Sequence, residues 1–189
     1  MKIVYMRHSE PDRLMTDKLG LIGYGRELAP LTPNGVVLAD EAAKNPLLEG
    51  AELIVSSPLT RALQTAGIVA RHTGLLIEVE LGLQERRVDL TQHLAFAEAH
   101  PLWDEYNASH GIWPEGKTRN WENVDMQQKR LKESLDKYLH YNKIIVVAHG
   151  ELSRRLSANS HLPFCGMFEI DYDEKFEFLP WSDVVKGFH

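Results

Sequence analysis

The chain has 189 residues, 43% of them hydrophobic, which is enough for one domain with a core of its own. Its formal net charge of −6 argues against general binding to nucleic acid, and no apolar run approaches the roughly 20 residues that span a bilayer. The single cysteine, Cys165, excludes an internal disulfide framework, so we expect a cytoplasmic protein. From the length we expect one domain over residues 1–189.

Two strand-like runs each end in a histidine. Residues 2–6 are rich in β-branched and aromatic side chains, and Arg7 and His8 follow them. Residues 144–148 form a second such run, and His149 follows it. Because ligands bind at the carboxyl ends of the strands in open parallel sheets, we expect the two histidines to build one site.

Residues 10–30 follow the first strand and are punctuated by glycines, which predicts a loop. Loops beside a strand end often carry specificity. Arg13, Tyr24 and Arg26 are therefore candidates for substrate contacts, although solvated loop residues are the stronger interpretation.

Capping signals and periodicity predict the elements that follow. Thr32-Pro33 and Ser57-Pro58 each combine an N-cap residue with a proline suited to the first helical position. Arg61 then falls in the first turn of the second helix, where free N–H groups and the helix dipole already favour an anion. The predicted elements are a helix over about 33–44, a strand over 53–56, a helix from Pro58, a strand over 75–79, a helix over about 120–141, a helix over 151–159, and a hairpin of strands over 167–172 and 175–178 with its turn at 173–174.

Residues 91–113 are predicted to form a helical excursion that caps one side of the site. Residues 91–100 have a helical pattern, Pro101 interrupts it, and aromatic residues follow at Trp103, Tyr106 and Trp113. The order of all the elements implies a three-layer α/β/α domain with a mostly parallel sheet of about six strands.

Four motifs in a fixed order resemble the histidine phosphatase superfamily, also called phosphoglycerate mutase-like. They are Arg7-His8, the block of residues 57–66, the loop Leu83-Gln84-Glu85, and His149-Gly150 followed by Arg154. The second block matches the family pattern almost completely, and the order of all four makes the resemblance specific. It implies the phosphoglycerate mutase-like fold and an enzyme of phosphate esters.

The resemblance also implies a role for each matched residue. His8 is the expected nucleophile, which forms a phosphohistidine, and its other ring nitrogen has to keep its proton, against a backbone carbonyl. Arg7 and Arg61 are expected to bind phosphate, because a guanidinium forks onto two phosphate oxygens and stays charged. His149 is expected to donate to a phosphoryl oxygen, and Glu85 to protonate the leaving group and then activate water. No metal ion or other cofactor is implied.

One matched position departs from the family pattern, since Ser9 stands where the family has glycine. If that position needs a positive φ, serine brings strain; otherwise serine narrows the floor of the pocket and its hydroxyl can touch phosphate. Ser9 and Gly150 are therefore possible substrate contacts. The histidines outside the motifs show no metal-ligand spacing: His72, His93, His100, His110, His140, His161 and His189.

The leading hypothesis is a metal-independent phosphomonoester hydrolase with a small phosphorylated substrate. A mutase-type phosphotransferase of the same fold is one alternative, although the chain lacks the long inserts of that group. A non-catalytic protein that binds a phosphorylated ligand is the other, motivated by Ser9. For Glu85, a solvated ion pair with its charged neighbours is a rival interpretation. Cys165 is expected to be a small core residue, and the sequence does not indicate an oligomeric state.

Overall fold

The computed structural model describes residues 1–158 and 162–181. Within these residues a central five-stranded sheet separates two hydrophobic cores. Side chains alternate along each inner strand, so that Ile3 and Tyr5 enter one core while Val4 and Met6 enter the other. Both faces are thus buried against helices, which confirms the three-layer α/β/α architecture.

The strands are β1 (Lys2–Arg7), β2 (Leu53–Ser56), β3 (Ile77–Val79), β4 (Lys143–Ala148) and β5 (Met167–Asp171). The α-helices are α1 (Arg13–Lys18), α2 (Pro33–Ala42), α3 (Thr60–Thr73), α4 (Phe96–Ala108), α5 (Val124–Leu135) and α6 (Gly150–Ser153). Short 3-10 helices cover Gly23–Leu28, Pro46–Leu48, Leu81–Leu83 and Asp136–Tyr138. Across the described parts of the chain, no helix is long and apolar enough to cross a membrane.

The sheet order is β3-β2-β4-β1-β5, with β1 to β4 parallel to one another and β5 antiparallel to β1. The register pairs Arg7 of β1 with Ala148 of β4. Each of these residues is followed directly by a histidine, so His8 and His149 leave the sheet side by side. Adjacent central strands therefore bring together the two histidines that follow the separate sequence runs.

The predicted hairpin is wrong in its second half, because residues 175–178 form no strand. Tyr172, Phe176 and Phe178 contact one another as an aromatic cluster against the core, with Tyr172 and Phe176 ring centroids 5.2 Å apart. Burial of the aromatic rings outweighs strand pairing, and the sheet has five strands among the described residues rather than about six.

Within the predicted excursion over 91–113, the helix lies later in the chain than the pattern of residues 91–100 predicts. Residues 91–94 are not helical, because the Asp89 carboxylate accepts the N–H groups of Thr91, His93 and Leu94 at 2.9–3.1 Å. Helix α4 instead begins at Phe96 and continues through Pro101. Tertiary packing of its aromatic face outweighs the hydrogen bond that proline removes.

Other boundaries move for local reasons. Helix α3 begins at Thr60 rather than Pro58, because the Ser57 hydroxyl accepts the Leu59 N–H and holds the chain in a turn. Helix α5 is shorter than the predicted 120–141, since Asn123 caps its start by accepting the Met126 N–H at 2.8 Å. Helix α6 spans four residues and ends in a turn, and the last residue of the predicted 151–159 helix lies outside the described residues.

Candidate active site

His8 follows β1, and its backbone N–H donates to Ala148 O on the neighbouring strand at 2.8 Å. Its Nδ1 lies 2.7 Å from Ser9 O, and its Nε2 lies 3.1 Å from Arg61 Nε. A carbonyl only accepts and a guanidinium only donates. The Nδ1 atom therefore carries the proton, and Nε2 presents a lone pair. Burial, reinforced by the positive charge of Arg61, holds the pKa of His8 well below its usual value.

His149 follows β4 and is fully buried. The Tyr5 hydroxyl clamps its backbone, because it donates to His149 O at 2.7 Å and accepts the His149 N–H at 3.0 Å. The ring Nε2 donates to Ser57 Oγ at 2.7 Å, and Nδ1 accepts from Arg61 Nη2 at 3.2 Å. Burial and the charge of Arg61 also hold the pKa of His149 well below its usual value. The two histidine rings lie 5.1 Å apart between centroids.

Arg61 joins the two histidines from the first turn of α3 and is 2% exposed. Its third nitrogen, Nη1, donates to Glu27 Oε2 at 2.5 Å. Glu27 belongs to the 3-10 helix Gly23–Leu28 and also faces Arg13 Nη1 at 3.6 Å. Although burial alone raises the pKa of Glu27, the charges of Arg61 and Arg13 outweigh it and lower that pKa. The guanidinium of Arg61 thus has its nitrogens shared between two imidazoles and one carboxylate.

Arg7 lies at the end of β1, beside the start of α6. Its Nη1 donates to Leu162 O at 2.6 Å, and its Cζ lies 4.4 Å from the centroid of the Phe164 ring. A Cβ on Gly150 would be 3.2 Å from Arg7 Nε. Glycine at position 150 therefore allows the guanidinium to lie against the backbone that follows His149.

Glu85 is held by backbone rather than by a solvated ion pair. Its carboxylate accepts the N–H groups of Arg86 at 3.0 Å, Glu151 at 3.1 Å and Leu152 at 3.2 Å, so it lies at the start of α6. Of its charged neighbours, Arg87 pairs with Glu122 instead. Burial first, and then the negative charge of Glu151, raises the pKa of Glu85.

Ser9 does not adopt a positive φ, so serine at this position brings no backbone strain. Its hydroxyl donates to Gly35 O at 2.6 Å, and its N–H donates to Thr65 Oγ1 at 3.0 Å. A Cβ on Gly35 would lie 2.4 Å from Glu10 O, so the loop after His8 packs directly on the backbone of α2. Ser9 fixes the floor of the site through these contacts.

The remaining candidates from the sequence are Arg13, Tyr24, Arg26 and Cys165. Arg13 contacts Glu27, whereas Arg26 pairs with Asp17 and lies over the Phe96 ring. Tyr24 is 39% exposed. The backbone N–H of Cys165 donates to Arg7 O and His8 O. Its side chain packs against the core that contains Val4 and Met6 and against a smaller cluster of Leu31, Ala39 and Ile68. Among the described residues, no group of three or more His, Cys, Asp or Glu side chains could hold a metal ion.

Sequence reasoning missed three residues that hold the site. Glu27 lies in a loop without a motif, and only the fold brings it to Arg61. Ser57 belongs to the matched block, so the block itself was a signal, but its contact with His149 was not predicted. Tyr5 is a strand residue whose hydroxyl contact with the His149 backbone depends on the pairing of β1 with β4.

The arrangement offers a neutral imidazole with its lone pair directed at a guanidinium, a second neutral imidazole and a buried carboxyl group with a raised pKa. The guanidiniums of Arg7 and Arg61 lie at the end of β1 and in the first turn of α3. Together these side chains can bind a tetrahedral dianion and attack it.

Comparisons with known proteins identify the family and the fold of the chain. The family model described as histidine phosphatase superfamily (branch 1) matches residues 3–172. A mycobacterial glucosyl-3-phosphoglycerate phosphatase is 22% identical, with a TM-score of 0.64 over 89% of this chain and 88% of that one. An alpha-ribazole phosphatase from Shigella flexneri is 20% identical, with a TM-score of 0.66 over 100% of both chains. These structures show the shared fold. Comparison with curated protein sequences yields no significant match.

Proposed function

The chain belongs to the histidine phosphatase superfamily, branch 1, and from this premise we propose that it hydrolyses small phosphate monoesters, without a metal ion, through a phosphohistidine on His8. The observation that carries the proposal is the tautomer of His8. Its Nδ1 proton is directed at Ser9 O and its Nε2 lone pair is directed into the site. A histidine nucleophile requires this combination.

In the first step, the dianionic ester binds where Arg61 Nε contacts His8 Nε2. The guanidiniums of Arg7 and Arg61 then donate N–H hydrogen bonds to its phosphate oxygens. The Nε2 lone pair attacks phosphorus, and the bond from phosphorus to the ester oxygen breaks in line with the attack. Glu85, whose raised pKa favours the protonated carboxyl group, gives its proton to the leaving oxygen. The proton stays on His8 Nδ1 throughout, hydrogen-bonded to Ser9 O.

In the second step, water attacks the phosphohistidine. The Glu85 carboxylate accepts a proton from this water, and the phosphorus–nitrogen bond breaks, which returns the lone pair to His8. His149 Nδ1 faces the same guanidinium as His8 Nε2, and once it takes a proton from solvent it donates to a phosphoryl oxygen in both steps. As charge spreads over the phosphoryl oxygens, Arg7, Arg61 and His149 stabilise it.

A paired measurement of phenyl phosphate turnover in the presence of EDTA tests the proposal. The wild type is expected to turn over, His8→Ala to lose turnover, and His72→Ala to retain it, because His72 pairs with Asp40 on the surface of α3. Protein quenched in alkaline denaturant, which preserves a phosphorus–nitrogen bond, should carry a phosphate label that is absent from His8→Ala. Activity abolished by EDTA, or a His8→Ala variant as active as the wild type, would refute the mechanism.

A further inference from the structure

The carboxylate of Glu27 bridges two guanidiniums beside the histidines of the site. Its Oε2 accepts from Arg61 Nη1 at 2.5 Å, and its Oε1 lies 3.6 Å from Arg13 Nη1. Guanidiniums bind carboxylate and phosphate groups alike, because both present two oxygens bonded to a single atom. The bridge therefore indicates where two oxygens of a phosphate group would lie.

The Glu27 carboxylate and a bound phosphate compete for Arg61. In the proposed mechanism the phosphate binds where Arg61 Nε contacts His8, and Glu27 holds Nη1 of the same guanidinium. Although burial alone raises the pKa of Glu27, the charges of Arg61 and Arg13 outweigh it, so the side chain is an anion. Two anions at adjacent nitrogens of one guanidinium repel each other. Substrate binding therefore requires Glu27 to leave Arg61.

The segment that carries Glu27 is lightly held. The 3-10 helix Gly23–Leu28, which the structure describes in full, contains no buried residue. Two of its backbone N–H groups donate to the carbonyls of residues 92 and 94, at 2.9 and 3.0 Å. The Glu27 side chain itself is 28% exposed. Because segments with few buried apolar contacts open at low cost in free energy, the carboxylate can move outward while both cores stay packed.

Arg13 keeps donors available for a ligand. Its Nη1 donates to Arg26 O at 2.7 Å and faces Glu27, whereas its Nε and Nη2 have no acceptor among the described residues. The side chain is 36% exposed, so a ligand can reach it from solvent. Burial is the main cause of the low pKa of His8 and His149, and the charge of Arg13 adds to it. Arg13 therefore lies close enough to the site to act on both imidazoles.

We propose that Arg13 is a third guanidinium of the phosphate site and that Glu27 occupies the position of phosphate oxygens until substrate binds. When a phosphate monoester arrives, the Glu27 carboxylate leaves Arg13 and Arg61, and the phosphate takes its position. Three guanidiniums, with that of Arg7, then face the dianion. The inference rests on the proposed hydrolase function, whose phosphate site it extends by one binding residue and one competing carboxylate.

Binding of inorganic phosphate, measured by isothermal titration calorimetry in two backgrounds, tests the inference. In the Glu27→Gln background the competing charge is absent, so Arg13→Met should raise the Kd of phosphate about 10-fold. This is the lower end of the range for hydrogen bonds between charged groups, because Arg13 is partly exposed. In the wild-type background the same substitution should raise the Kd by less, because it also weakens the hold on Glu27.

Arg26→Met is the matched control for the loss of a positive charge. Arg26 lies in the same segment as Glu27, but its guanidinium pairs with Asp17. The Kd of phosphate should therefore stay nearly unchanged in this variant. An equal loss of affinity in Arg26→Met and Arg13→Met would assign the effect to net charge alone, and it would overturn the inference.

A purely structural role of Arg13 gives a different pattern. If Arg13 only holds Glu27 and the 3-10 helix, Arg13→Met leaves the Kd of phosphate unchanged in the Glu27→Gln background, which would overturn the inference. Circular dichroism checks that each variant is folded. Arg13→Gln, which keeps a polar side chain on α1, takes the place of Arg13→Met if that variant does not fold. The same rise in Kd is expected for it, and an unchanged Kd would again overturn the inference.

Phenyl phosphate turnover by the wild type, measured beside phosphate binding, distinguishes this inference from the proposed function. Turnover together with a Kd of phosphate that does not depend on Arg13 in either background would overturn the role of Arg13 and leave the hydrolase standing. Absence of turnover, together with the expected pattern of Kd values, would overturn the hydrolase proposal and support a phosphate site that includes Arg13.

Discussion

Lowering the pH should destabilise the fold through its two buried histidines. His8 and His149 both have a pKa held well below the usual value, by burial first and then by Arg61. A group whose pKa is depressed in the folded state binds its proton more readily in the unfolded chain. The free energy of unfolding should therefore fall as the pH drops through the unfolded-state value of about 6.5.

The magnitude follows from linkage. At a pH of about 5.5, protonation in the unfolded chain stabilises that state by about 1.4 kcal/mol for each histidine that stays neutral in the fold. As the pH falls from about 7.5 to about 5.5, His8 and His149 together therefore lower the free energy of unfolding by about 3 kcal/mol. This is a large share of a typical domain stability of about 5–15 kcal/mol.

Urea unfolding at a series of pH values measures this loss. His8→Gln and His149→Gln should each remove about half of the pH-dependent loss, because each removes one titrating group. His72→Gln, on the surface, serves as the control for loss of a histidine. A wild-type stability that is flat over this range, or a pH dependence that is the same in all variants, would refute the assignment of both histidines as neutral in the fold.

Three further substitutions test other contacts in the site. Glu85→Gln should lower kcat for phenyl phosphate by about 100- to 10,000-fold, and by less for 4-nitrophenyl phosphate, whose leaving group needs no proton; equal losses would argue against a proton donor. Glu27→Gln should lower the inhibition constant of inorganic phosphate several-fold, because Arg61 no longer shares its charge with a carboxylate; weaker inhibition would contradict this. Ser9→Ala should lower the unfolding free energy by about 1–2 kcal/mol through the lost bond to Gly35 O, with kcat changed only slightly; a large kcat loss would indicate contact with substrate.

The elements that meet at the sheet centre were predictable because their signals are local. A run of β-branched residues followed by a histidine occurs at both β1 and β4, and parallel strands end at the same edge. The adjacency of His8 and His149 needed one further fact, the register that pairs Arg7 with Ala148. Arg61 was predictable from its proline-marked helix start, even though that helix begins two residues later than expected.

Other features depend on contacts that no local pattern encodes. Glu27 reaches Arg61 across 34 positions of the chain. Residues 175–178 alternate like a strand, yet Phe176 and Phe178 pack together because ring burial contributes more than an edge strand. Helix α4 continues through Pro101 because its aromatic face contacts Arg86. In each case a tertiary contact outweighs the local preference.

In the proposed mechanism, the positive charge that binds phosphate also prepares the nucleophile. Arg61 contacts both imidazoles, and its charge lowers both pKa values, so the groups that attract a dianion also keep His8 unprotonated and able to attack. A bound phosphate dianion reverses this potential and favours protonation of nearby imidazoles. His8 Nε2 cannot take that proton while it faces phosphorus, whereas His149 Nδ1 can. In the proposed mechanism, the substrate therefore arrives at two neutral histidines. Its charge then allows only His149 to take a proton from solvent and donate it to the phosphoryl oxygens.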